Sequence, residues 1–188
     1  MIVVIGVIVG VVVLLGIIFF AVFNSLVRLR NQVRNSWSQI DVQLKRRHDL
    51  IPNLMETVKG YMKHERDTLE AVTKARTSAV EASGKGVGQQ AKAEGELSGM
   101  LTRFFAVAEN YPDLKANQNF LALQEELTTT ENKISFARQF YNDGVMHLNN
   151  KVQMFPSNMV AGMTGFKAGE FFELEAPAER EVPKVSFT

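Results

Sequence analysis

The chain has 188 residues, 46% of them hydrophobic, with 21 Lys plus Arg against 20 Asp plus Glu and a formal net charge of +1. That balance removes any bulk electrostatic case for nucleic acid as a partner, and the lack of cysteine removes disulfides, thiol nucleophiles and Cys-based zinc sites. The length leaves room for one membrane segment and one compact domain of about 130 to 160 residues, enough to bury a core without covalent staples.

No charged residue occurs from Met1 to Val27, and Ile2 to Phe23 is apolar or glycine throughout. As a helix this stretch covers roughly 33 Å, enough to cross a hydrocarbon layer of about 30 Å. Its valines and isoleucines favour strands in water, but in lipid the backbone must satisfy its own hydrogen bonds, and helix wins. No basic residue precedes it, and it ends Ala21-Val22-Phe23, without the small-x-small pattern of a cleaved signal. An uncleaved transmembrane anchor is therefore expected. Arg28, Arg30 and Arg34 follow it before the first acid, Asp41. The positive-inside rule then places the amino terminus outside and the rest in the cytoplasm. Gly6 and Gly10 form a GxxxG, the spacing at which two membrane helices can pack closely; glycine is also simply common in such helices.

Beyond the anchor, apolar residues recur at helical spacing. Leu26, Leu29, Val33, Trp37, Ile40 and Leu44 form one series; Ile51, Leu54, Val58, Tyr61, Leu69 and Val72 form a second. Pro52 removes an amide donor between them and predicts a kink or a new helix start, with Asp49 available as a cap. Ser83 to Gly95 holds four glycines and reads as a loop or frayed end. A third helix carries Leu97, Leu101, Phe104 and Phe105 and stops at Tyr111-Pro112-Asp113. The longest run, Phe120 to Val152, ends at Phe155-Pro156. Strand alternation is absent, and short connections favour antiparallel neighbours. The expectation is an all-α chain: an N-terminal transmembrane helix (1–25) followed by an antiparallel long-helix bundle (26–155), an apolar Phe/Gly-rich segment (156–175) and an acidic end (176–188) read as disordered.

The apolar segment carries Phe155, Met159, Met163, Phe166, Phe171 and Phe172 among glycines. It reads as a cap closing one end of the bundle or, more sharply, as a membrane or partner contact.

A search for chemistry finds no catalytic, cofactor or metal motif. His48, His64 and His147 stand far apart without paired-ligand spacing, and Ser78, Ser83 and Ser98 lie in no GxSxG elbow. Gly84-Lys85-Gly86-Val87-Gly88 lacks the GxxxxGK and the preceding strand of a phosphate loop. The densest polar run is Lys45-Arg46-Arg47-His48-Asp49. A membrane-proximal site for anionic headgroups is one reading, but the run lies roughly 33 Å beyond the anchor along a straight helix, more than a Debye length, which weakens it. Intramolecular pairing with acids such as Glu131 or Asp143 is expected instead. A polar cluster of Arg46, Arg47, Asp49, Glu131, Arg138 and Tyr141 is a candidate structural feature. If it proved open, it would be a remote candidate for an enzyme site.

The motifs Asn35-Ser36-Trp37-Ser38-Gln39-Ile40-Asp41 through Leu50-Ile51-Pro52-Asn53-Leu54, Tyr111-Pro112-Asp113-Leu114, Gln124-Glu125-Glu126-Leu127, Ala137-Arg138-Gln139-Phe140-Tyr141-Asn142-Asp143 and Phe155-Pro156-Ser157-Asn158 occur in this order. The arrangement resembles the LemA family of bacterial membrane proteins over roughly residues 1–175. His48 and Gly144 depart from that pattern, where an aromatic residue and alanine are commoner. The resemblance implies a single amino-terminal membrane helix, a short external terminus and a cytoplasmic antiparallel bundle, in a family without an established reaction. Its relatives include a protein of magnetosome membranes, and its genes often neighbour one for a metalloprotease. The resulting expectation is a non-enzymatic scaffold of the bacterial inner membrane, without cofactor. Its partners would be the lipid bilayer, further copies of itself and other membrane proteins. The alternative is a monomeric adaptor or regulator of a membrane protein such as a protease.

Overall fold

A computed structural model of the chain describes residues 1–173. The acidic end at 176–188, and residues 174 and 175 of the apolar segment, lie outside the described residues. Helix α1 runs Ile2–Val58, α2 Arg66–Ala82, α3 Val87–Ala108, α4 Pro112–Lys115, α5 Gln118–Gln153 and α6 Ser157–Thr164. Among the described residues there is no strand, so the chain is all-α. It divides into two compact units: residues 1–40 with 136–170, and residues 41–135 with the described residues from 171 onward.

In the second unit, the carboxyl-terminal part of α1, α2, α3 and the amino-terminal part of α5 alternate in direction. Asp41 pairs with Gln90 and Arg47 with Glu94, so α1 and α3 run the same way. Ser98 pairs with Glu131, and Phe105 stacks near Phe120 at 6.3 Å, so α5 runs opposite to α3. The core between them holds Ile51, Leu54, Val58, Val72, Leu97, Phe104 and Phe120, with α4 adding Leu114. Burying one apolar stripe per helix against its neighbours stabilises helices that would be marginal alone.

The sequence expectation differs from the structure at two places here. First, of the kink or new helix start expected at Pro52, the new start does not occur: α1 continues through Pro52, and Asp49 is an exposed residue inside the helix rather than its cap. A proline at 52 leaves the His48 carbonyl, four residues back, without its helical donor. Arg76 of α2 donates its Nε–H to that carbonyl at 2.7 Å, so a neighbouring helix completes what the proline breaks. Second, the loop between α2 and α3 is only Ser83 to Gly86, with Gly84 and Gly86 at φ 78° and 114°. Residues 87–95 are helical because Gln89, Gln90, Ala91, Lys92, Ala93 and Glu94 are good helix formers that outweigh the interspersed glycines.

In the first unit, the α1 stretch up to Ile40 pairs antiparallel with the end of α5. Trp37 meets Tyr141 at 5.3 Å, and Val33 lies against Gly144. Leu26, Leu148, Val160 and Ala161 form the centre, flanked by Phe19, Val22, Phe23 and Phe166. Helix α6 ends at Gly165 (φ 75°), whose left-handed conformation lets the Phe166 amide reach the Ala161 carbonyl at 3.0 Å. The chain then lies along α5. Asn149 donates to the Gly169 carbonyl at 3.0 Å and accepts from its amide at 2.7 Å, and the Tyr141 hydroxyl donates to the Glu170 carbonyl at 2.9 Å. From Met1 to Leu15 every residue is exposed, and α1 is the one helix among the described residues long and apolar enough to cross a membrane.

Candidate functional site

The second unit holds a polar cluster inside its core. Arg47 is 1% exposed, a cost that only close partners offset. Its Nη2 pairs with Glu94 Oε2, and its Nη1 donates to Ser98 Oγ at 2.7 Å and to Glu131 Oε2 at 2.5 Å. Ser98 in turn donates to Glu131 Oε1 at 2.7 Å. His48 Nε2 lies 3.0 Å from Oε1 and 3.3 Å from Oε2 of Glu94. Helix spacing explains the assembly. Gln90, Glu94 and Ser98 recur every four residues of α3 on one stripe, opposite Arg47 and His48 of α1 and Glu131 of α5.

Burial pushes the Glu94 carboxyl upward, but the hydrogen bond from His48 and the charge of Arg47 outweigh it and hold the group below its ordinary value. Glu94 is thus a fixed carboxylate, poorly suited to give up a proton as a general acid. Its charge and that of Arg47 are directed at each other. Glu131 forms the half-exposed edge, beside a small cleft of about 210 Å³.

The sequence-derived candidates separate in the structure. Arg47 and Glu131 meet; Arg46 pairs instead with Glu126 at the surface. Asp49 is exposed and outside the cluster, as is Asp143, which forms no ion pair among the described residues. Arg138 and Tyr141 belong to the first unit, where burial, and then Glu170, raise the Tyr141 hydroxyl. Glu94, Ser98 and Gln90 escaped sequence reasoning because they sit in the stretch read as a loop or at its edge; the four-residue spacing 90, 94, 98 is the signal that finds them. Among the described residues no group of three His, Asp or Glu side chains is placed to hold a metal.

The apolar candidates divide as well. Phe172 is buried in the second unit at 1% exposure. Phe166 packs edge-on to Phe23 at 6.0 Å and lies under Arg30, whose guanidinium carbon is 4.9 Å from the ring centre. Phe155, Met159 and Met163 are exposed at 78%, 61% and 78%, and Phe171 at 40%. Helix α6 is therefore two-faced. Val160 and Ala161 pack inward beside α1, while Met159 and Met163, four residues apart, face outward. Gly6 and Gly10 stand open on α1, with nothing within 4 Å of where a Cβ would lie.

The sequence is similar to those of known proteins. A family model described as the LemA family matches residues 36–187. Magnetosome proteins MamQ 1 and MamQ 2 of Paramagnetospirillum magneticum are each 26% identical over 180 residues, covering 83% of this chain and 66% of theirs. Protein LemA of Metamycoplasma hominis is 29% identical over 152 residues, covering 78% of this chain and 68% of its own. The chain thus spans just under two thirds of the length of the magnetosome relatives it matches. With the family model covering most of the sequence and the fold all-helical, the chain belongs to the LemA family.

Proposed function

We propose that this protein is a non-enzymatic, membrane-anchored scaffold that self-associates and organises membrane partners, with α1 crossing the bacterial inner membrane, its amino terminus outside and the helical domain in the cytoplasm. One observation carries the reading: the first unit turns apolar surface outward along the start of α1 and again at Phe155, Met159 and Met163. Surface of this kind calls for lipid or protein cover. The exposed face of α6 lies in the same unit as Phe19, Val22 and Phe23, at the end of the apolar stretch, which suits it to the interfacial layer. Arg28, Arg30 and Arg34, just beyond, favour the cytoplasmic side for the remainder of the chain. Against an enzyme stands the mutual pairing of Arg47, Glu94, His48 and Glu131, which leaves no open reactive set there. Confinement to one membrane raises the effective concentration of anchored chains, so weak contacts suffice for assembly.

The test is the native mass of the full-length chain in nanodiscs beside a version lacking residues 1–27. The scaffold predicts a discrete multimer of the full chain. Its survival after truncation would place the contacts outside Gly6 and Gly10. Monomers in both forms would refute self-association and leave the adaptor, for which co-purification from native membranes is the test.

A further inference from the structure

In the second unit, α1 and α2 leave an open groove of about 830 Å³ between them. Its floor is apolar, formed by Ile51, Met55, Met62 and Leu69. Its walls carry Lys59, Lys63, Arg66, Lys74 and Arg76 against two acids, Glu56 and Glu70. Glu70 is engaged by Arg66 at 2.7 Å. Among the described residues no carboxylate lies within ion-pair distance of Lys59, Lys63, Lys74 or Arg76.

Arg76 is the best organised of these cations. Its Nε–H is held by the His48 carbonyl at 2.7 Å, which fixes the guanidinium, while its terminal nitrogens have no hydrogen-bond partner among the described residues. A guanidinium already immobilised loses little further freedom when it takes a carboxylate through two parallel hydrogen bonds. The cations are also spread out. Lys59 and Lys63 flank the turn into α2, whereas Lys74 and Arg76 lie in its third turn, roughly 12 to 15 Å along the helix from its start. A single anionic headgroup cannot reach both sets. A helix with an apolar stripe and acids spaced over three turns can.

We propose that this groove docks an acidic amphipathic helix of a partner protein, its apolar stripe on the Ile51–Met55–Leu69 floor and its carboxylates on Arg76 and the three lysines. The proposal goes beyond self-association and holds whether the full chain is a monomer or a multimer.

The experiment uses the full chain in nanodiscs of uncharged lipid and a short fluorescein-labelled peptide, with leucines on one helical face flanked by glutamates. Fluorescence anisotropy should rise saturably. A Lys63→Glu/Lys74→Glu variant, altered only at exposed positions and melting like the parent, should bind about tenfold more weakly or worse. Added salt should weaken the parent's binding, and a peptide with lysine for glutamate should not bind. Absence of saturable binding, equal binding of the lysine peptide, or unchanged affinity in the double variant would overturn the proposal. So would oleate that displaces the peptide and loses its own binding in the double variant, since that would assign the groove to a single-headed amphiphile.

Discussion

The two units bury themselves in opposite ways. Among the described residues the second buries eighteen apolar side chains and also encloses Arg47 and Glu94, whereas the first buries seven and leaves large side chains such as Phe136, Phe155 and Met163 outside. A core able to enclose an ion pair has apolar burial to spare, because each enclosed charge costs several kcal/mol of desolvation before its partners offset it. The second unit thus builds its core from its own residues. The first turns large apolar side chains outward along the start of α1 and at Phe155, Met159 and Met163. The contrast is one of burial: the second unit encloses charge as well as apolar surface, whereas the first leaves much of its apolar surface outside.

Removing Arg47 gives the sharpest break. Arg47→Ala leaves Glu94 buried without its cation and should destabilise by about 3–5 kcal/mol, measured by thermal or denaturant unfolding of the full chain in detergent. Arg46→Ala, one residue away but in a surface pair with Glu126, should cost less than about 1 kcal/mol. Equal losses would mean that the enclosed pair has no special weight.

Next in size is Glu94→Gln, expected to cost about 2–3 kcal/mol at neutral pH. The effect should depend on acidity. The folded carboxyl is held below its ordinary value of 4.5, so its charge stabilises the fold above that value, and the contribution is lost as pH falls below 4.5 through the folded-state value. The parent and Glu94→Gln should therefore converge in stability as the solution is acidified below pH 4.5. A constant gap would assign the loss to shape rather than charge.

The smallest expected effect lies in the first unit. Gly144 lies inside α5, and a Cβ there would meet Val33 Cγ2 at 3.5 Å, an ordinary contact. Gly144→Ala should stabilise the first unit by about 0.5–1 kcal/mol, read as slower hydrogen exchange in residues 136–153. Slower exchange spread equally through residues 87–108 would show that the two units do not open separately.

Much of this is legible in the sequence because periodicity reports burial directly. Leu26, Ile40, Leu44, Ile51, Leu54 and Val58 are identified by spacing alone, and all are buried. The pairing of Arg47 with Glu131 comes from asking where an arginine far from the membrane finds a carboxylate. Glu94 is not legible, since glycines around it suggest a loop and local composition cannot report that α1 supplies a cation to that face. Nor can the passage of α1 through Pro52 be read locally, because the compensating donor lies in another helix. The apolar segment misleads by uniformity: Phe166 and Met163 look alike in composition, yet one is packed and the other exposed.

The bond from Arg76 to the His48 carbonyl acts as a register mark. Pro52 makes that one carbonyl of α1 the acceptor that needs an outside donor, and α2 supplies one at a single position. Sliding either helix by a turn would strand the carbonyl and misplace the arginine together. The two residues are thereby coupled in the fold: with Pro52 in place, losing Arg76 leaves the carbonyl without a donor, whereas a residue at 52 that restores the amide would supply that donor from within α1.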